Sequence, residues 1–93
     1  MTLRVQGTVQ GQRVSVLVDS VATHNFIDAQ LVERRGVETE SFDGFSVLVP
    51  GAKTMQCARY ILALAVARDH GDLYDDRSFF VVDIPDTNVV LGV

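Results

Sequence analysis

The sequence predicts a mainly β domain, a closed barrel or a sandwich, with one short helix. Short apolar segments typical of strands recur at fairly even spacing, and turn-forming residues separate them. The 93 residues, 47% of them hydrophobic, suffice for one small core but not for two. No internal repeat, heptad pattern or long linker is found. We therefore expect residues 1–93 to form a single domain.

The first two strands are predicted to form a hairpin. Residues 3–9 are β-prone, and Gln10-Gly11-Gln12 makes a short turn into the segment Arg13–Val18. This second segment becomes apolar on both faces, which is typical of a strand that is covered on both sides. The strand leads to Asp19, so we expect a carboxylate in the middle of the fold.

The only helix is predicted over residues 28–35. Asp28 is suited to the N-cap, Leu31 and Val32 share an apolar face, and Gly36 is suited to end the helix. The adjacent Arg34-Arg35 pair lies in the last turn, where the helix dipole favours positive charge.

Strand signals dominate the second half of the chain. The Pro50-Gly51 pair strongly favours a turn, so the segments on either side are predicted to form an exposed hairpin. A polar turn at 68–72 leads to the last strands. The predicted strands are Phe45–Val49, Thr54–Val66, Phe79–Val82 and Asn88–Gly92.

Charge and composition exclude several classes of function. A formal net charge of −4 argues against binding nucleic acid, which depends on clustered Lys and Arg. The longest uncharged apolar stretch, Tyr60–Ala67, is far shorter than the roughly 20 residues that cross a bilayer. Cys57 is the only cysteine, so neither an internal disulfide nor a thiolate zinc cluster can form. We expect a soluble intracellular protein that contacts neither nucleic acid nor membranes.

The sequence around Asp19 resembles the retropepsin-like aspartic proteases. The likeness is strongest over Asp19–Ile27, which reads Asp-Ser-Val-Ala-Thr-His-Asn-Phe-Ile, and the order of hairpin, helix and later strands extends it over nearly the whole chain. Within that family, the sequence is most similar to the protease domains of gypsy-class LTR retrotransposon polyproteins. The resemblance implies a small closed β-barrel of the retropepsin type. The family has an apolar-apolar-Gly loop that supports the catalytic turn, and by this resemblance the loop corresponds to Val90, Leu91 and Gly92.

By this resemblance, Asp19 is the catalytic carboxylate and Ser20 is the hydroxyl that braces the active-site turns across a two-fold axis. The turn continues through Val21, Ala22 and Thr23. Val21 replaces the family's glycine; it keeps the backbone N–H that holds the carboxylate, but it adds two methyl groups and restricts the backbone. Two interpretations follow: an active protease, or an inactive member that keeps the fold.

Peptide hydrolysis by this class needs two carboxylates, because one takes a proton from water while a second, protonated one polarises the carbonyl. No other Asp lies in an Asp-Ser/Thr-Gly setting. The nearest to it, Asp86-Thr87-Asn88, fits a structural loop. The resemblance therefore implies a homodimer with two Asp19 carboxylates at its axis.

The implied activity is that of an aspartic endopeptidase of a retrotransposon-type polyprotein, acting on extended polypeptide without a cofactor. Its expected location is the cytoplasm or a retrotransposon particle. The alternative is a catalytically inactive module for peptide binding or dimerisation.

The hairpin around Pro50-Gly51 corresponds to the family's flap, a mobile hairpin that closes over substrate. An ordinary surface hairpin is the alternative interpretation of this segment. Sequences of the family usually continue past the apolar-apolar-Gly loop with a helix and a terminal strand. We expect this chain to lack them, so that dimer contacts rest on the active-site turns, the flap and the N-terminal strand. The flap corresponds to Val49, Pro50, Gly51, Ala52 and Lys53.

Other candidate sites are weaker. His24 and Cys57 are a conceivable base and nucleophile, but no third residue is identifiable as an orienting partner. Structural roles are favoured, with His24 supporting the turn and Cys57 packing as a small apolar residue. An acidic group with His70 lacks the Gly and terminal Glu of a calcium loop, so a solvated loop is favoured. Its members are Asp69, Asp72, Asp75 and Asp76.

Overall fold

The computed structural model describes residues 2–48, 54–68 and 73–92. Over these residues the fold is mainly β with one short helix, as predicted. Among these residues, no helix is both long enough and apolar enough to span a membrane. The elements are β1 (Thr2–Val9), β2 (Gln12–Asp19), β3 (Phe26–Asp28), α1 (Ala29–Arg35), β4 (Glu40–Leu48), β5 (Thr54–Arg68), β6 (Leu73–Val82) and β7 (Val89–Gly92).

The seven strands form one mixed sheet in the order β1-β2-β7-β3-β6-β5-β4. Neighbouring strands are antiparallel, except that β2 runs parallel to β7 and β3 runs parallel to β6. A short additional ladder joins Gly7 and Thr8 of β1 to Arg68 and Ala67 of β5. Because this ladder comprises only those residue pairs, the closed barrel stays a prediction.

The predicted N-terminal hairpin is confirmed, and its turn lies at Gln10 and Gly11. Both residues have positive φ angles, 48° and 81°. This backbone is typical of two-residue turns whose twist matches that of the flanking strands. The register of the hairpin pairs Thr2 of β1 with Asp19 at the end of β2.

The helix ends as predicted at Gly36, whose left-handed backbone has a φ of 62°. The prediction for its first turn is correct in position but wrong in contact. Asp28 occupies the N-cap, yet its side chain makes no capping hydrogen bond. Instead, its Oδ1 accepts a hydrogen bond from the Ile84 N–H at 3.0 Å. The reason is that Asp28 also ends β3, where it is buried beside a backbone donor from a distant segment.

β4 begins at Glu40, before the predicted strand, and a bulge interrupts it. Ser41 pairs with Arg59 and Phe45 pairs with Cys57, so four steps along β4 match two along β5. Gly44 lies in this bulge with a φ of 91°. A Cβ at Gly44 would lie 2.7 Å from the Cys57 carbonyl oxygen, so the bulge requires glycine for space as well as for backbone conformation.

The strand that carries Asp19 is covered on both faces, as its composition predicts. Val14, Val16 and Val18 are buried in the larger of two hydrophobic clusters. Leu17 points to the other face and packs against the smaller cluster. The smaller cluster consists of Phe26, Cys57, Val82, Ile84 and Val90.

Candidate active site

Asp19 lies at the carboxyl end of β2 and is only 6% exposed. The register of the parallel β2–β7 pair places Asp19 beside Gly92, the last residue of β7. The carboxyl ends of two neighbouring parallel strands thus meet at one edge of the sheet. A carboxylate at such an edge is held by buried strands while it borders a loop.

The turn after Asp19 orients its carboxylate. The backbone N–H of Val21 donates a hydrogen bond to Asp19 Oδ1 at 2.9 Å. The side chain of Val21 is 78% exposed, Ala22 is half-buried, and Ser20 and Thr23 are exposed. Valine therefore keeps the backbone contact expected at this position, and it presents an apolar side chain to solvent beside a buried acid.

The segment Val90-Leu91-Gly92 lies directly against this turn. Val90 and Leu91 are buried, one in each hydrophobic cluster. A Cβ at Gly92 would lie 2.7 Å from the Ala22 carbonyl oxygen and 2.9 Å from that of His24. Only glycine lets β7 approach the turn this closely.

Asn25 makes hydrogen bonds at the end of this turn that the sequence does not predict. Its Oδ1 accepts a hydrogen bond from the Gly92 N–H at 2.9 Å, and its Nδ2 donates to the Ser78 carbonyl at 3.2 Å. Its own carbonyl accepts from the Phe80 N–H at 3.0 Å. Asn25 therefore ties the end of the turn to both β7 and β6. The sequence feature that could have indicated this role is a side-chain amide, which can both donate and accept hydrogen bonds, within the segment that resembles the family.

The loop before β7 is tied to β2 and β3. Asn88 receives the Ser15 N–H on its Oδ1 at 2.8 Å, and its carbonyl accepts the Asp28 N–H at 2.8 Å. Asp86 is exposed with a φ of 60°, and its carbonyl accepts a hydrogen bond from Arg4 Nη1 at 2.7 Å. These contacts favour the structural interpretation of the loop.

His24 and Cys57 lie in settings that suit structural roles. The ring of His24 packs edge-on against Phe80, with 5.2 Å between ring centroids. Cys57 is fully buried in the smaller cluster, and the Arg59 and Val81 carbonyl oxygens, 3.3 and 3.7 Å from its Sγ, share its single S–H donor. Both residues are thereby used in packing.

The proposed flap, Val49–Lys53, lies outside the described residues, as do Asp69, His70 and Asp72 of the acidic group. The side chains of Asp75 and Asp76 are not described either. Within the described ranges, no three His, Cys, Asp or Glu side chains gather into a group that could hold a metal ion.

Comparisons with known proteins agree with this geometry. Residues 4–93 match a family described as "Retroviral aspartyl protease". Comparison with curated proteins gives no match. The fold is similar to that in the crystal structure of the retroviral protease-like domain of Ddi1 from Leishmania major, with a TM-score of 0.66 and 20% sequence identity. The alignment covers 99% of this chain and 72% of that one.

Proposed function

The chain belongs to the retroviral aspartyl protease family, and from this we propose that it is an aspartic endopeptidase that works as a homodimer. In the dimer, two Asp19 carboxylates activate one water molecule between them. The proposed substrate is an extended segment of a retrotransposon-type polyprotein, and the proposed subgroup of the chain itself is that of the gypsy-class proteases. The proposed location is the cytoplasm or a retrotransposon particle.

The observation that carries the proposal is the state of Asp19. The residue is 6% exposed, its carboxylate accepts the Val21 N–H at 2.9 Å, and it lies beside the close approach of Gly92 to the turn. A catalytic acid must be held in a fixed orientation, and here backbone atoms of the turn supply that orientation. The replacement of glycine by Val21 leaves this part of the machinery in place.

The chemistry requires the two carboxylates to carry different charges. The unprotonated Asp19 takes a proton from water as the water oxygen bonds to the peptide carbonyl carbon, while the protonated Asp19 of the other copy donates to the carbonyl oxygen. The carbon–nitrogen bond then breaks as the Asp19 that took the proton from water gives it to the departing nitrogen. The other Asp19 recovers its proton from a hydroxyl of the intermediate, which leaves as the carboxylic acid product. Two carboxyl groups at close range cannot both ionise, because their negative charges repel each other, so one acid of the pair stays neutral.

Exposed apolar side chains support dimerisation at this edge. Leu3 is 48% exposed and pairs in register with Val18, which places it at the end of the β1–β2 hairpin that carries Asp19. Val21, in the turn itself, is 78% exposed. Burial of such side chains against a second copy is favourable, and a two-fold axis through the edge brings the same residues together.

The alternative function is a catalytically inactive module that binds peptide or dimerises. The same exposure of Val21 favours it, because two valine side chains at the axis occupy space that glycine leaves open for substrate.

Cleavage of a mixture of unstructured peptides at acidic pH separates the two functions. We expect cleavage that pepstatin inhibits and that Asp19→Asn reduces by at least about a thousandfold, since the variant cannot accept the proton from water. Gln30→Ala, an exposed change on helix α1, is the control for handling and folding. Cleavage that persists in Asp19→Asn would exclude the proposed mechanism, and no cleavage by the parent chain at any concentration would favour the inactive module.

A further inference from the structure

A groove of about 340 Å³ lies on the face of the β4–β5–β6 part of the sheet. This size is near the lower end of the range for ligand pockets, about 300–1,000 Å³, and suits one or two large side chains. Among its lining residues, Leu62 is 72% exposed, so an aliphatic side chain faces open space. We call it the aromatic groove, and its lining residues are Phe42, Tyr60, Leu62, Ser78, Phe79 and Phe80.

The bulge at Gly44 places a second phenylalanine, Phe45, beside this groove. Phe42 and Phe45 are three positions apart, a spacing that places residues of a regular strand on opposite faces. The bulge instead brings both rings to Phe80, with centroids 6.2 and 5.1 Å from it. The ring of Tyr60 adds a further contact, 5.7 Å from that of Phe42.

Residues of the aromatic groove contact the turn that follows Asp19. The ring of His24, within the turn region, packs on Phe80 at 5.2 Å, and the Asn25 carbonyl accepts the Phe80 N–H. Ala22 of the turn packs against the smaller hydrophobic cluster, and Phe42 and Phe80 of the groove pack against the same cluster.

The surroundings of the groove indicate the kind of molecule that fills it. β4 ends the strand order over the described residues, so it offers backbone groups along one side to an added strand. Phe45 of β4 is 38% exposed beside the groove, which extends the apolar surface along that strand. An extended peptide gains both main-chain hydrogen bonds from such a strand and a pocket for a side chain.

We infer that the aromatic groove is a distal subsite, which takes a large apolar side chain of an extended polypeptide that runs along β4 from the catalytic turn. The inference rests on the proposed peptidase function and deepens it, because it assigns a substrate preference to residues away from the catalytic carboxylate. The preference is for an aromatic or leucine-like side chain, since the lining is apolar and aromatic edges pack favourably on such groups.

The test uses a pair of cleavable Thr- and Gln-rich peptides that differ at one position distant from the scissile bond, where one carries Phe and the other Ser. We expect the parent chain to prefer the Phe peptide, and Leu62→Ser to reduce kcat/KM for it by about fivefold to twentyfold while sparing the Ser peptide. Ala65→Ser, an exposed change on the same strand outside the groove lining, is the matched control. Equal loss on both peptides, or no loss on either, would overturn the inference.

A binding measurement keeps this test separate from that of the proposed function. In the Asp19→Asn protein, addition of the Phe peptide should shift the backbone amide resonances of Tyr60, Leu62 and Ser78, and addition of the Ser peptide should shift them much less. Absence of these shifts would reject the subsite even if the parent chain cleaves peptides. Shifts without any cleavage by the parent chain would support the groove and contradict only the peptidase proposal.

Discussion

At the scale of single residues, Val21 separates two contributions that glycine combines at this position. Its backbone N–H donates to Asp19 Oδ1, a contact that every residue except proline can make. Its side chain is 78% exposed and adds volume where glycine would leave space. The aspartate therefore keeps its orientation, and the change falls on whatever approaches it.

We expect Val21→Gly to raise kcat/KM for an unstructured peptide by about tenfold, because less crowding lets substrate reach the reacting distance. It should also lower the free energy of unfolding by about 0.5–1 kcal/mol, since glycine loses more backbone entropy on folding. Initial rates and thermal denaturation measure the two effects. Val21→Ala should have a kcat/KM between those of the parent chain and Val21→Gly. Unchanged or lower activity in Val21→Gly would contradict the steric explanation.

Gly92 and Asn25 differ in how far the sequence reveals them. Gly92 ends an apolar triplet that the family resemblance identifies, and the short distances from its Cβ position to the Ala22 and His24 carbonyls explain the need for glycine. The partners of Asn25, Gly92 and Ser78, are distant in sequence. No local pattern predicts such contacts, so only the folded chain identifies Asn25.

At the scale of elements, the β4 bulge decides which side chains share a face. The position of Gly44 in it combines a φ of 91° with a Cβ position 2.7 Å from the Cys57 carbonyl oxygen. The sequence predicts a strand from Phe45 but does not predict the bulge, because a register shift depends on the partner strand. The strand β3 is missed for a related reason, since its three residues, Phe26–Asp28, show no readable periodicity.

Gly44→Ala should lower the free energy of unfolding by about 1–3 kcal/mol more than Gly11→Ala does. Both changes force alanine into a positive φ, but only the one at Gly44 adds a steric conflict with backbone atoms. Gly11 has no atom within 4 Å of its Cβ position, which makes it a matched control. Chemical denaturation measures both, and equal losses would show that the bulge tolerates a side chain.

At the scale of the whole molecule, the proposed mechanism takes one aspartate from each chain, so it makes activity dependent on assembly. The specific activity should therefore rise with protein concentration until the dimer is saturated. We expect Leu3→Ser to raise the dissociation constant of the dimer by about tenfold, because each copy loses an apolar side chain at the proposed interface. Sedimentation equilibrium measures this constant and enzyme assays measure the activity.

Leu62→Ser is the matched control for assembly, since Leu62 is also an exposed leucine but lies in the aromatic groove. It should leave the dissociation constant unchanged. A chain that stays monomeric at every concentration and still cleaves peptides in an Asp19-dependent manner would contradict the shared site.

The sequence alone determined the mainly β class, the hairpin that leads to Asp19, the helix that ends at Gly36 and the family resemblance of the turn after Asp19. These features depend on side-chain periodicity and backbone sterics over a few neighbouring residues, which the order of amino acids expresses directly. Only the tertiary structure decided that Gly92 meets the turn, that Asn25 joins it to two strands and that the rings of Phe42 and Phe45 both pack against Phe80. The physical reason is that these contacts depend on the register between strands distant in sequence, and register is a property of the packed sheet.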